Sequence, residues 1–250
     1  MKFLTIMAVV LVYRNWLGGN PVRDVFSTES WFSSIRGNIG AGNLRYLVAV
    51  ILPAVAILFL SDVIDSWLFG LLNLTLSIAI LLFAIEVVDL DVLIDDHRAW
   101  VAEQQPGGDF FTDTTYEVFQ GIVPALFWFL ILGPAGVVLY ALSERYLAQL
   151  GEDDSDMSLV EQLLYWMEWI PARITGLIYA LLGDFRGGLN ALLDVLADTQ
   201  NSNALVLGNT VRASMSANNP EDGFLDLQWL LENSIWGWVA IAALLTILGW

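Results

Sequence analysis

The sequence predicts an all-α, polytopic helical integral membrane protein with five or six membrane segments. Hydrophobic residues make up 57% of the chain and charged residues only 15%, which is too much apolar surface for one soluble core of this length. Residues 121–142 carry no charge and are long enough to cross a hydrocarbon core of about 30 Å as one helix. Several such spans leave little room in 250 residues for a soluble module, so we expect a single membrane domain over residues 1–250.

Six apolar stretches are the candidate membrane segments. They are residues 1–17, 46–60, 66–85, 121–142, 163–182 and 235–250. The first is short and is interpreted as a retained helix; a signal peptide and a partly inserted helix are the alternatives, and the count falls to five if it does not cross. Between the last two stretches, the amphipathic residues 188–200 predict a helix lying at the membrane surface.

The few basic residues predict the orientation, because Lys and Arg near the ends of spans are retained on the cytoplasmic side. With six segments, one side carries Arg14, Arg23, Arg36, Arg45, Arg98, Arg186 and Arg212, and the other carries Lys2 and Arg145. Both chain termini are therefore expected outside, and residues 18–45, 87–120 and 183–233 are expected to form cytoplasmic loops.

Charge and composition exclude several functions. The net charge of −17 disfavours nucleic acid or an anionic lipid surface as the main partner. Cysteine is absent, which excludes disulfides, a thiolate nucleophile and thiol-ligated metals. Asp91, Asp95 and His97 are possible metal ligands, but Asp95 and His97 diverge on a helix, so a solvated acidic face is favoured. The sequence contains no catalytic or phosphate-binding motif, and we predict no catalytic residues, metal or cofactor.

The stretch at residues 163–182 is unusual because it contains Glu168, Pro171 and Arg173. An arginine inside an apolar helix is costly unless it is paired or lies near an interface. Glu168 lies five residues from Arg173, about 140° round a helix, whereas Trp169 lies one turn away and could stack on the guanidinium. Two interpretations are open: Pro171 begins a new helix with both charges in headgroup water, or the charges form a polar site within the membrane.

A second unusual feature is Pro134, which lies between Gly133 and Gly136. A proline within a span can open the helical hydrogen-bond ladder and line a cavity. Small residues at the same place can instead form a notch that lets another helix approach closely.

Two segments in this order resemble the AmpE family: residues 125–140, ALFWFLILGPAGVVLY, and residues 169–185, WIPARITGLIYALLGDF. They are more remotely similar to the CobD/CbiB proteins of cobalamin biosynthesis. The AmpE resemblance implies an inner-membrane protein of a Gram-negative bacterium, associated with β-lactamase induction and peptidoglycan-recycling signalling. The chain departs from CobD/CbiB, because only Glu117 keeps a carboxylate in the region of that family's acidic set, and because Asn203 is not followed by its N-A-G-W-P pattern.

We therefore favour an AmpE-like sensor or scaffold over an enzyme. An accessory subunit of a larger membrane complex and a CobD/CbiB-like amide ligase are the alternatives. The expected partners are the lipid bilayer and a protein that binds the cytoplasmic loops or the transmembrane helices. The expected ligand or partner site comprises Glu117, Pro134, Glu168, Trp169, Arg173, Asp184 and Asn203.

Overall fold

The computed structural model describes residues 2–15, 28–40, 42–65, 70–86, 88, 90, 92, 109–151, 157–216 and 220–249. All regular secondary structure within these ranges is helical, which confirms the all-α class. The helices are α1 (Lys2–Asn15), α2 (Glu29–Asn38), α3 (Asn43–Tyr46), α4 (Leu52–Asp65), α5 (Leu71–Ala84), α6 (Phe110–Leu132), α7 (Pro134–Ala148), α8 (Met157–Leu182), α9 (Phe185–Val195), α10 (Asn203–Ser214) and α11 (Pro220–Ile247). A π-helical turn over Leu47–Ile51 connects α3 to α4.

The chain divides into two compact units. Unit 1 comprises Met1–Val87, Pro124–Met167 and Ala242–Trp250, and unit 2 comprises Val88–Val123 and Glu168–Ile241. The expectation of one membrane domain stays a prediction. Asp91, Asp95 and His97, the possible metal ligands, lie outside the described residues.

Unit 1 is organised around a buried aromatic cluster that joins α2, α3 and α7. The Tyr46 hydroxyl and Ser143 Oγ are 2.7 Å apart, and the rings of Phe32 and Tyr46 meet the Tyr146 ring edge-on at centroid distances of 5.5 and 5.7 Å. These side chains are buried, and the bond between the two hydroxyl groups gives each polar oxygen a partner in an apolar environment.

Three helices are long and apolar enough to cross a membrane among the residues that the structure describes: Asn43–Ile64, Phe110–Leu132 and Gly223–Ile247. Two shorter apolar helices, Lys2–Val12 and Leu71–Ala84, accompany them. These helices support a location in the membrane. The count of five or six segments stays a prediction.

The uncharged stretch at residues 121–142 does not form one helix, so the interpretation as a single continuous span is wrong. Helix α6 ends at Leu132, Gly133 adopts a φ of 66°, and α7 begins at Pro134. Proline has no N–H to continue the ladder and is well suited to the first position of a new helix. A methyl group added at Gly136 would lie 2.6 Å from the Trp128 carbonyl oxygen, so this glycine fits the tight break between α6 and α7. The interpretation as a notch for another helix stays a prediction.

The interpretation of Pro171 as the start of a new helix is also wrong, because α8 continues through it. A proline inside a helix leaves the carbonyl four residues earlier without its usual N–H donor. For Pro171 that carbonyl belongs to Met167, and it accepts a hydrogen bond of 3.1 Å from the Trp128 indole N–H. A donor from another helix therefore replaces the bond that the proline removes.

Two further prolines show the same replacement. The carbonyl four residues before Pro53 is that of Ala49, which accepts the Trp31 indole N–H at 3.1 Å. The carbonyl four residues before Pro134 is that of Leu130, which accepts from Lys2 Nζ at 2.8 Å. Because lipid offers no hydrogen bonds, these long-range donors help to explain how an apolar chain tolerates breaks in its helices.

Candidate functional site

Two charged side chains of α8 are almost fully buried in unit 2. Glu168 is 2% exposed and Arg173 is 6% exposed. The interpretation that places both in headgroup water is therefore wrong, and the polar-site interpretation is the one that fits their burial. Buried charges are expensive unless hydrogen bonds compensate them, so the partners of each group define what it can do.

The Glu168 carboxylate is held by two side chains of α6. Tyr116 Oη donates to Glu168 Oε2 at 2.7 Å, and Gln120 Nε2 donates to Glu168 Oε1 at 3.1 Å. Gln120 Nε2 also donates to the Tyr116 hydroxyl at 3.0 Å, which closes a three-membered network. Tyr116 and Gln120 are one helical turn apart and so face the same side of α6. Both carboxylate oxygens receive a donor, an arrangement that suits an ionised carboxylate.

Arg173 connects α8 to the segment between α9 and α10. Its Nη1 donates to Asn203 Oδ1 at 2.5 Å, and its Nη2 donates to the Asp198 carbonyl at 2.9 Å. The guanidinium carbon lies 4.4 Å from the centre of the Trp169 ring, as the one-turn spacing predicted. The planar guanidinium thus holds a backbone carbonyl and a side-chain amide of one connection at fixed positions.

The residues of that connection bond to each other as well. Asp198 Oδ1 accepts from the Gln200 backbone N–H at 2.7 Å, and Asp198 Oδ2 accepts from Asn201 Nδ2 at 2.8 Å. Ser202 caps α10, because its side chain accepts from the Leu205 backbone N–H. Arg173 therefore fixes a turn in which Asp198 and Ser202 bond to neighbouring residues.

The structure brings together some of the predicted site residues. Trp169, Arg173 and Asn203 form one cluster, while Glu168 contacts α6. Glu117 is exposed on α6. Asp184 is exposed as well and caps α9 by accepting from the Arg186 backbone N–H, which is a structural role. Pro134 belongs to unit 1 and begins α7.

Sequence reasoning missed Tyr116, Gln120 and Asp198. The signal for the first two was available, because a tyrosine and a glutamine one turn apart, just before the apolar residues 121–132, present two donors on one helix face. Asp198 contributes its backbone carbonyl to Arg173, and a backbone contact has no signature in the sequence. Among the residues described, no group of three or more His, Cys, Asp or Glu side chains is placed to hold a metal ion.

Comparison with known proteins supports one family. The family model described as "Regulatory signalling modulator protein AmpE" matches residues 115–249, more than half of the chain. The matched region contains Tyr116, Gln120, Glu168, Arg173 and Asn203, so both polar clusters lie within it. No curated protein and no solved structure matches the chain. The remote similarity to CobD/CbiB proteins stays a prediction. The chain belongs to the AmpE family of regulatory signalling modulators.

Proposed function

We propose that this protein is a multi-pass protein of the bacterial inner membrane that modulates β-lactamase induction in response to cell-wall recycling. It works by binding a ligand or a protein partner, as a sensor or scaffold, and not by catalysis. Family membership supports the regulatory role. The three helices long enough to span, together with two shorter apolar helices, support the multi-pass location.

The observation that carries the site is the burial of Glu168 and Arg173 in unit 2. Charged groups of this kind are a poor way to gain stability, because apolar residues of similar volume often stabilise a protein equally or better. In membrane helices such residues are by default candidates for functional sites. We assign the ligand or partner site to the Arg173, Trp169 and Asn203 cluster, with Glu168 as a second buried group on the same helix.

The test replaces Arg173 in a Gram-negative reporter strain that lacks its own AmpE-family protein. Arg173→Leu should reach the membrane at normal abundance but lose its effect on β-lactamase induction by a β-lactam. Arg186→Leu is the matched control, because Arg186 is an exposed arginine in the same unit and should retain full regulation. Arg173→Lys keeps the positive charge but cannot donate to Asn203 and to the Asp198 carbonyl in the same geometry, so it should also impair regulation.

Membrane abundance decides how the result is interpreted. Normal regulation by Arg173→Leu at wild-type abundance would remove this cluster from consideration as the site. If Arg173→Leu fails to accumulate, Asn203→Ala tests the same contact by removing only the acceptor of one Arg173 hydrogen bond.

An accessory-subunit role is the second candidate, and one observation favours it. In the most apolar 18-residue stretch of the helix Asn43–Ile64, only 17% is buried within the chain, compared with 67% for Phe110–Leu132. A large apolar face of this kind suits another membrane protein as well as lipid. Recovery of a stable stoichiometric partner in detergent would favour this role, whereas a homogeneous protein without a partner would favour a free-standing sensor.

A further inference from the structure

We propose that α9 and α10 form a re-entrant hairpin, which enters the membrane and leaves it on the same side. Helix α9 has 11 residues and α10 has 12, so each is about 16 to 18 Å long at 1.5 Å per residue. That length is roughly half of a hydrocarbon core of about 30 Å. Neither helix can cross alone, but together they can reach the middle and return.

The contacts of α9 show that it runs back along α8. A methyl group added at Gly188 would lie 2.9 Å from Ala180 Cα, and one added at Gly176 would lie 3.0 Å from Leu192 Cδ1. Further along, the carbonyl of Asp198 meets Arg173. As residue numbers rise in α9, the contacted positions in α8 fall, which is the order of an antiparallel pair.

Helix α10 retraces the same path in the opposite direction. It begins with Asn203 at Arg173, and Thr210 Oγ1 lies 3.5 Å from a methyl group added at Gly176. It ends at Ser214, whose carbonyl accepts the Asp184 backbone N–H at 2.7 Å. The first residue before α9 and the last residue of α10 are therefore neighbours, and the turn between the two helices lies at the Arg173 level.

The open end of the hairpin carries the charges expected at a membrane surface. Arg212, near the end of α10, forms an ion pair with Asp109, which immediately precedes α6. Helix α6 is one of the candidate spans and begins at Phe110. The Ser216 backbone N–H bonds to Asp226, at the start of the candidate span Gly223–Ile247. Two spans thus begin at the level where the hairpin opens.

Exposed leucines flank the closed end, and the turn itself exposes Thr199, Gln200 and Ser202. Leu193 is 55% exposed and Leu205 is 44% exposed, although both lie in the half of the hairpin nearer the turn. In water these side chains would be unfavourably hydrated, whereas in acyl chains they are well solvated. Irregular backbone at membrane depth is tolerated only where its polar groups are satisfied or face water or protein. The Arg173 and Asp198 bonds satisfy part of the turn's polar groups.

The inference concerns membrane placement and does not depend on signalling. The absence of cysteine from the sequence allows single-cysteine variants without further changes. Leu193→Cys and Leu205→Cys, labelled with a nitroxide in phosphatidylcholine vesicles, should be more accessible to oxygen than to a water-soluble nickel chelate. Arg186→Cys, exposed at the open end of the hairpin, is the matched control and should show a lower ratio of oxygen to nickel accessibility.

A second experiment tests the sidedness of the hairpin. Arg186→Cys and Ser216→Cys, at its two open ends, should both react with an impermeant thiol reagent added from one and the same side of the vesicles. Labelling from opposite sides would mean that the segment crosses the membrane and would overturn the proposal. Preferential nickel accessibility at Leu193 and Leu205 would place the hairpin in water, and poor access of both probes would place a protein over it. Either result would also overturn the proposal.

Discussion

Replacing Trp128 by Phe should destabilise the protein by about 1 to 3 kcal/mol, the cost of leaving a buried carbonyl without a donor. The Trp128 indole N–H bonds to the Met167 carbonyl at 3.1 Å, and Pro171 has no N–H to offer that carbonyl. A phenyl ring keeps most of the apolar contact but removes the donor. At about 1.4 kcal/mol per factor of ten, the expected loss is at least several-fold in the folding equilibrium constant.

A double-mutant cycle separates this bond from the loss of ring volume. Pro171→Ala restores an N–H four residues after Met167, so Trp128→Phe should cost at least about 1 kcal/mol less in the Pro171→Ala background. Unfolding in mixed detergent micelles, followed by circular dichroism, measures each free energy. Trp166→Phe, on α8, is the control, because that ring is 53% exposed, and its cost should stay within about 0.5 kcal/mol. An equal cost of Trp128→Phe in both backgrounds would refute the reasoning.

The remaining predictions use the same unfolding assay. Lys2→Met should cost about 1.5 to 3 kcal/mol, because it removes a charged donor from the Leu130 carbonyl at the end of α6; an unchanged stability would show that this bond contributes nothing. Gly188→Ala should destabilise by about 1 to 3 kcal/mol, because its methyl group would lie 2.9 Å from Ala180 Cα. Gly37→Ala is the matched control, since a methyl group there meets nothing within 4 Å, and it should be neutral or stabilise α2 by up to about 1 kcal/mol. Equal effects at the two glycines would contradict the close packing of α9 on α8.

Hydrophobicity was sufficient to predict the fold class and the approximate positions of most helices. The hydrophobic content of the chain does not depend on tertiary contacts, so it can be evaluated from the sequence alone. The breaks were harder to predict, because prolines at 134 and 171 have opposite outcomes. Pro134 follows Gly133, which adopts a positive φ and ends α6. Pro171 follows Ile170 and has no glycine of positive φ before it, so α8 continues.

The candidate site was predicted only in part. Arg173 could be identified from the cost of placing a guanidinium in an apolar helix, and the contact with Trp169 followed from helical spacing. The partner of Glu168 could not be identified in the same way. It comes from α6, about 50 residues earlier in the chain, and the choice of partner depends on how two helices pack. The sequence resemblance indicated Glu117, which is exposed, and not Tyr116 or Gln120.

The bonds to the carbonyls of Ala49, Leu130 and Met167 have a consequence for the alignment of helices. Two apolar helices in lipid can slide along each other by a turn at little cost, because one set of methyl groups resembles the next. A side-chain donor that bonds the carbonyl four residues before a proline fixes the position of its own helix along the other helix. Pro53, Pro134 and Pro171 therefore serve as reference points, and a sequence that replaced these three by alanine would have straighter helices but a less certain register between them.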